Sequence, residues 1–241
     1  MSRRRGPGWV PRQHGAWAML TMPLAVGVLA AGPAWVDLPL TAFWFAGYLA
    51  FNATGLWLKS GRQRRYLPPV RAYAVLACAL GAVTLATDPG LVRWVPLFVV
   101  PLVVGLVASA RRDDRSLWSG IATSAGSSLM VLVAYDAGGG TDWARAWTLT
   151  GVVTAYLVGT VLYVKSMIRE RDDERFQWLS ALAHAGATVA MVWVSPWLVV
   201  VFAALTIRAA VLPAYHLSPK VVGLGEIVAS VVVSVTALLV T

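Results

Sequence analysis

Apolar runs of about 20 residues, separated by short charged or Pro/Gly-rich breaks, constrain this 241-residue sequence more than any other feature. At 1.5 Å rise per residue, a helix of that length covers the ~30 Å hydrocarbon core of a bilayer. Hydrophobic residues make up 58% of the chain and charged residues 13%, against about 25% charged in a soluble domain. Too few polar side chains remain to coat a water-soluble globule. The chain reads as an all-α, polytopic membrane protein. That excludes a secreted disulfide scaffold, a soluble α/β enzyme and a disordered acidic tail. Cys78 is the single cysteine and lies in an apolar run, so an intrachain disulfide or a multi-cysteine metal cluster is excluded as well.

Nine candidate spans follow, roughly His14–Ala31, Leu38–Leu58, Ala72–Thr87, Val92–Ser109, Trp118–Tyr135, Trp143–Val164, Gln177–Val194, Trp197–Tyr215 and Val222–Val240. The break at Ser195-Pro196 is only a dipeptide, so a re-entrant hairpin and eight spans are the alternative. One transmembrane domain covers residues 1–241, with a basic N-terminal segment at 1–13. With that segment in the cytoplasm, eighteen Lys and Arg fall inside and only Arg93 and Arg145 outside. Such a bias orients a protein of the cytoplasmic membrane, and it accounts for the net charge of +9 without nucleic acid. Trp35, Trp94, Trp118, Trp143, Trp178 and Trp197 fall at span ends, where an interfacial aromatic belt is expected. Cleavage of the first run as a signal peptide is not expected, because its loss would invert the charge bias downstream.

Charge is expensive in hydrocarbon, so polar groups within spans carry the most information. Asn52 in span two, His184 in span seven, Arg208 in span eight and Glu226 in span nine stand at similar depth on the cytoplasmic side. Such groups can simply tie neighbouring helices together. Arg208 also needs a counter-charge, and Glu226 on the next span is its expected partner. Lys59 with Arg62, and Lys165 with Arg169, are spaced to share a helical face where their spans continue into the cytoplasm. Acids are woven among the basic residues in the runs Arg111–Arg115 and Arg169–Arg175. Asp and Glu contribute little to orientation, so these loops read as a folded polar cap over a cavity. The bland alternative is contact with lipid head groups. No Walker loop, His-Glu-x-x-His pair or Gly-x-Ser-x-Gly elbow occurs. The sequence shows no inverted repeat of the transporter kind.

The segments Pro11-Arg-Gln-His-Gly-Ala-Trp17, Lys165-Ser-Met-Ile-Arg-Glu-Arg171 and Lys220-Val-Val-Gly-Leu-Gly-Glu226 resemble the YwiC-like family of bacterial integral membrane proteins, over essentially the whole chain. The chain is more distantly similar to the UbiA-type prenyltransferase superfamily. That likeness implies nine spans and charged loops after spans two, four and six. It also implies a prenyl diphosphate held through magnesium by two aspartate-rich motifs. Asn52 stands where the first motif has its asparagine, but Ala53-Thr-Gly and Lys59 replace the aspartates. Arg112 resembles the basic loop after span four. Tyr163 and Arg171-Asp172-Asp173 resemble the second motif, which makes Asp172 and Asp173 the candidate metal ligands. One acidic motif without the other departs from a two-site magnesium clamp. Lys59 and Arg62 in place of carboxylates instead suit direct contact with an anion.

The expectation is a UbiA-like bundle with a cytoplasm-facing cavity for an isoprenoid, quinone-like or anionic lipid, with prenyl transfer as its extension. Its candidate binding residues are Gln13, His14, Asn52, Lys59, Arg62, Arg112, Tyr163, Lys165, Arg169, Asp172, Asp173, His184, Arg208, Lys220 and Glu226. The rivals are a small proton-linked permease using His14, His184 and Glu226, and a non-catalytic subunit of a membrane complex.

Overall fold

The computed structural model describes residues 8–11, 14–215 and 217–241, and among these it is all-helical. The helices are α1 (His14–Ala31), α2 (Asp37–Lys59), α3 (Leu67–Thr87), α4 (Val95–Ala110) and α5 (Leu117–Ser128). They continue with α6 (Met130–Ala137), α7 (Trp143–Ile168), α8 (Glu174–Met191), α9 (Pro196–Val211) and α10 (Pro219–Val240). Six stretches are long and apolar enough to cross a bilayer: Arg64–Thr87, Pro89–Ala110, Leu117–Ala137, Trp143–Ile168, Pro196–Tyr215 and Pro219–Val240. This is the architecture of a multi-pass membrane protein.

Local chemistry sets the helix ends. Ser116, Asp142, Asp173, Ser195 and Ser218 each accept a backbone N–H at the start of α5, α7, α8, α9 and α10. Proline opens α3, α4, α9 and α10, where a missing N–H costs nothing. The run expected as one span from Trp118 to Tyr135 is interrupted at Leu129, between α5 and α6. Small hydroxyl residues explain the interruption. Ser128 Oγ donates back to the Ser124 carbonyl at 2.9 Å, while Ser127 Oγ donates across to the Met19 carbonyl of α1 at 2.6 Å. Hydroxyls that compete for backbone carbonyls bend a helix.

Helix α7 runs through the largest core. Leu149, Val152, Val153, Tyr156 and Leu157 are buried against Val26 of α1, Met191 of α8, Phe202 of α9 and Val233 of α10. Helices α1 and α6 meet backbone to backbone: a Cβ added at Gly27 would lie 2.5 Å from the Val131 carbonyl oxygen. Small residues permit this approach where helices lack a hydrophobic drive to associate. Helix α2 packs on α3 and α4 and leads into a second core with Leu24, Leu91, Met130 and Val133. Outward faces are apolar, with Val75, Val100 and Leu239 at 70%, 68% and 80% exposure, as a lipid-facing surface requires. Trp35, Trp118, Trp178 and Trp197 stand exposed at helix ends.

The connections are tied in pairs. Lys59 Nζ pairs with Asp114 Oδ1 at 2.6 Å, and Arg112 Nε donates to the Lys59 carbonyl at 3.2 Å, joining the α2–α3 and α4–α5 turns. Arg171 Nη2 donates to the Leu217 carbonyl at 3.4 Å, joining the α7–α8 and α9–α10 turns. Elsewhere Arg93 pairs with Asp136, which also accepts from Trp94 Nε1 at 2.7 Å. Arg145 donates to the Ala30 and Leu238 carbonyls at 3.1 and 3.5 Å, in the last turns of α1 and α10. A cation there complements the negative ends of both helix dipoles.

One expectation is corrected. Arg62 does not continue the helical face of Lys59, because α2 ends at Lys59. Arg62 adopts φ +63 and donates its N–H to the Trp57 carbonyl at 2.9 Å. Arg112 likewise takes φ +60, with its N–H on the Ser109 carbonyl at 3.1 Å. Arg112 holds the left-handed place after its helix that glycine usually takes, whereas after α2 that place belongs to Gly61 (φ +74) and Arg62 follows it. Arg169 is the cap residue of α7 and is exposed.

Candidate functional site

A cavity of ≈ 510 Å³ opens among α1–α6. One face of α2 lines it from Leu40 to Lys59, through Phe43, Tyr48, Asn52 and Gly55. Steps of three, four and five residues along that stripe keep its side chains on one side of the helix. The stripe is about 28 Å long at 1.5 Å per residue, so the cavity is elongated along the helix axis. One end carries the Lys59–Asp114 ion pair. The other end is walled by Leu91, Trp94, Phe98 and Val133 and is apolar.

Between these ends lies a band of polar groups. Ser109 donates to the Gly105 carbonyl at 2.9 Å, and Thr123 to the Ser119 carbonyl at 2.7 Å, so both are satisfied locally. Three others are not. Tyr48 Oη, Asn52 Nδ2 and Ser124 Oγ are buried, line the cavity and have no hydrogen-bond partner. A buried donor left unsatisfied costs about 1–3 kcal/mol, and such groups are few in folded proteins. All three stand on the wall of the one cavity.

A second polar cluster sits among α7–α10. Arg208 Nη1 lies 2.5 Å from Glu226 Oε1, with the two side chains 17% and 10% exposed. Glu226 Oε2 accepts from Thr160 Oγ1 at 2.7 Å and from Tyr156 Oη at 3.2 Å. The Arg208 guanidinium lies 4.0 Å over the Tyr163 ring, a cation–π arrangement. His184 is buried on α8, with Nδ1 2.7 Å from the Ser180 carbonyl one turn earlier. Its ring fills the space over Gly159, where an added Cβ would lie 3.0 Å from Nε2. The expected Arg208–Glu226 pairing is therefore present, with hydroxyl partners that composition did not point to.

The structure divides the sequence-derived candidates. Asn52 and Lys59 line the cavity, and Arg112 grips the Lys59 carbonyl beside it. Tyr163, Arg208 and Glu226 form the second cluster, and His184 of α8 is buried against α7 at Gly159. Equal depth on four helices did not bring Asn52 to Arg208 and Glu226. Lys165 pairs with Glu170 at 3.4 Å and lies 5.2 Å from the Phe176 ring centre. Arg62, Arg169, Asp172 and Lys220 are exposed. His14 opens α1, and Gln13 lies outside the described residues. Tyr48 and Ser124 are the functional candidates that sequence reasoning missed. Tyr48 stands one helical turn before Asn52, which is the signal that was available.

The donor set does not fit the magnesium clamp implied by the prenyltransferase likeness. Asp173 Oδ1 accepts the N–H groups of Arg175 and Phe176 at 2.9 and 3.2 Å as the cap of α8. Among the described residues, no group of three or more His, Cys, Asp and Glu is placed to hold a metal ion.

A family model described as YwiC-like protein matches residues 10–135. An uncharacterized protein of Bacillus subtilis (strain 168), YwiC, is 30% identical over 179 residues, covering 71% of this chain and 72% of that protein. An uncharacterized protein of Haemophilus influenzae is 29% identical over 238 residues, covering 96% of this chain and 98% of the relative. No solved structure matches the chain.

Proposed function

Because the chain belongs to the YwiC-like protein family, we propose that its members' shared scaffold is a membrane receptacle for a long-chain lipid of the isoprenoid kind. The chain of the lipid occupies the apolar end of the α1–α6 cavity, and its head reaches the band at Tyr48, Asn52 and Ser124. The observation that carries this reading is the coincidence of three partnerless buried polar groups with an elongated, largely apolar cavity. Pockets that take small molecules combine apolar walls with a few convergent polar groups. Magnesium-dependent prenyl transfer is no part of the reading, since the carboxylates do not assemble for it.

In this reading all nine helical rods cross the cytoplasmic membrane, with α5 and α6 counted as one. The basic turns after α2, α4 and α7 face the cytoplasm, and the polar end of the cavity opens toward them. The eighteen-to-two distribution of basic residues supports that orientation. A reporter at Gly61 is then cytoplasmic and one fused after Thr241 extracytoplasmic.

Lipid extraction and mass spectrometry on the purified full chain test the receptacle. The wild type is expected to carry an enriched isoprenoid species. A Cβ added at Gly47, on the cavity wall, meets no heavy atom within 4 Å, so Gly47→Leu is expected to project into the cavity and to lose that species. No enrichment across several detergents would sink the reading.

A further inference from the structure

The polar band also specifies the chemistry of the head group. Resting on the lipid-receptacle reading, we infer that the cavity takes an uncharged, acceptor-rich head, the ring of an isoprenoid quinone, and not a phosphate or diphosphate.

Charge is the first argument. Among the described residues lining the cavity, only Lys59 and Asp114 carry charge, and they neutralise each other at 2.6 Å. Asn52 and Tyr48 lie seven and eleven residues before Lys59 on α2, which places them about 10 and about 16 Å along the helix from that pair. A phosphate at that depth would be a buried anion with no free cation in the cavity wall, an arrangement that low-dielectric surroundings penalise heavily. Arginine clusters are the usual answer to phosphate. Arg208 belongs to the other cluster and already pairs with Glu226.

Donor count is the second argument. Asn52 Nδ2 is purely a donor with two hydrogens, and Tyr48 Oη and Ser124 Oγ each carry one hydrogen beside their lone pairs. The three groups therefore have four hydrogens to place and are best met by acceptors. A hydroxyl head, as in a polyprenol, brings one acceptor oxygen and one more hydrogen to place. A quinone ring brings two carbonyl oxygens, each with two lone pairs and no hydrogen, which matches those four hydrogens. Its flat ring and unsaturated tail also match an aromatic wall of Phe43, Trp44, Phe51 and Phe98.

The test uses the full chain in phosphatidylcholine nanodiscs, titrated with decyl-ubiquinone and followed by tryptophan quenching, since Trp44 and Trp94 line the cavity. Gly47→Leu, with the cavity filled, reports simple partition into the bilayer. Farnesyl diphosphate and farnesol serve as competitors with a charged and a hydroxyl head. The expected result is saturable quinone binding that Gly47→Leu lacks and that farnesyl diphosphate does not displace. Asn52→Leu and Tyr48→Phe are expected to raise Kd at least tenfold. If Asn52→Leu does not fold, Tyr48→Phe and Ser124→Ala carry the comparison, because each removes a hydroxyl that supports nothing in the fold. Displacement by farnesyl diphosphate, or tighter binding of farnesol than of quinone, would overturn the head-group assignment and leave the receptacle standing. Binding of none of the three would overturn both.

Discussion

The two polar clusters of this bundle solve the same physical problem in opposite ways. In α7–α10, Arg208 and Glu226 are both charged and deeply placed, and the bundle pairs them with each other, with Tyr156 and Thr160, and with the Tyr163 ring. In α1–α6, Tyr48, Asn52 and Ser124 are uncharged and equally enclosed, yet no protein group answers them. The first arrangement neutralises its charges internally, although Arg208 Nε and Nη2 and Glu226 Oε1 make no hydrogen bond. The second has no protein partner of any kind for its three atoms. A polar residue in a membrane span is thus informative less by its charge than by whether a group within the protein answers it.

The contrast is broken most directly at the ion pair. Arg208→Met leaves Glu226 buried with its counter-charge gone, and such losses run to about 3–5 kcal/mol. A large fall in the detergent melting temperature is expected, and Glu226→Gln should fall similarly. The double variant should recover part of the loss, because no lone charge remains. Strictly additive losses would show that the two residues do not act as a pair. Neither single variant should change ligand binding in the α1–α6 cavity beyond what its instability explains.

A smaller effect is expected at the cavity's charged end. Lys59 is 36% exposed in its side chain, and partly exposed pairs contribute about 0–1 kcal/mol. Lys59→Met and Asp114→Asn should each shift the melting temperature slightly, and less so in high salt. A loss as large as that of Arg208→Met would mean that the pair is as enclosed as the inner one.

The smallest effect sharpens the comparison most. Tyr48→Phe and Ser124→Ala remove hydroxyls that have no partner, so the unliganded protein should be unchanged or stabilised by up to about 1 kcal/mol, the low end of what an unsatisfied buried group costs. Thr160→Val, which strips Glu226 Oε2 of its 2.7 Å donor, should instead destabilise. Melting curves of lipid-stripped protein separate the two outcomes. A clear loss in Tyr48→Phe without ligand would return that hydroxyl to the fold.

Much of the helical layout was legible in residue order. Backbone groups in hydrocarbon must be satisfied within the segment, so an apolar run of sufficient length can only be a helix, and Ser, Asp and Pro mark where several of these begin. The pairing of Arg208 with Glu226 was legible for a related reason: a charge in an apolar span requires its opposite nearby. Depth along a helix is also a one-dimensional quantity that counting delivers. Angular position is not. Whether Asn52 faces Arg208 or a cavity on the far side of α5 depends on how α2, α4 and α5 pack, which involves contacts between residues far apart in the chain. Tertiary structure alone placed Asn52 and Ser124 on one cavity and left that cavity where small residues such as Gly47, Gly55 and Gly105 line the walls. An unfilled space between helices is a property of their relative placement, and no local pattern of residues records it.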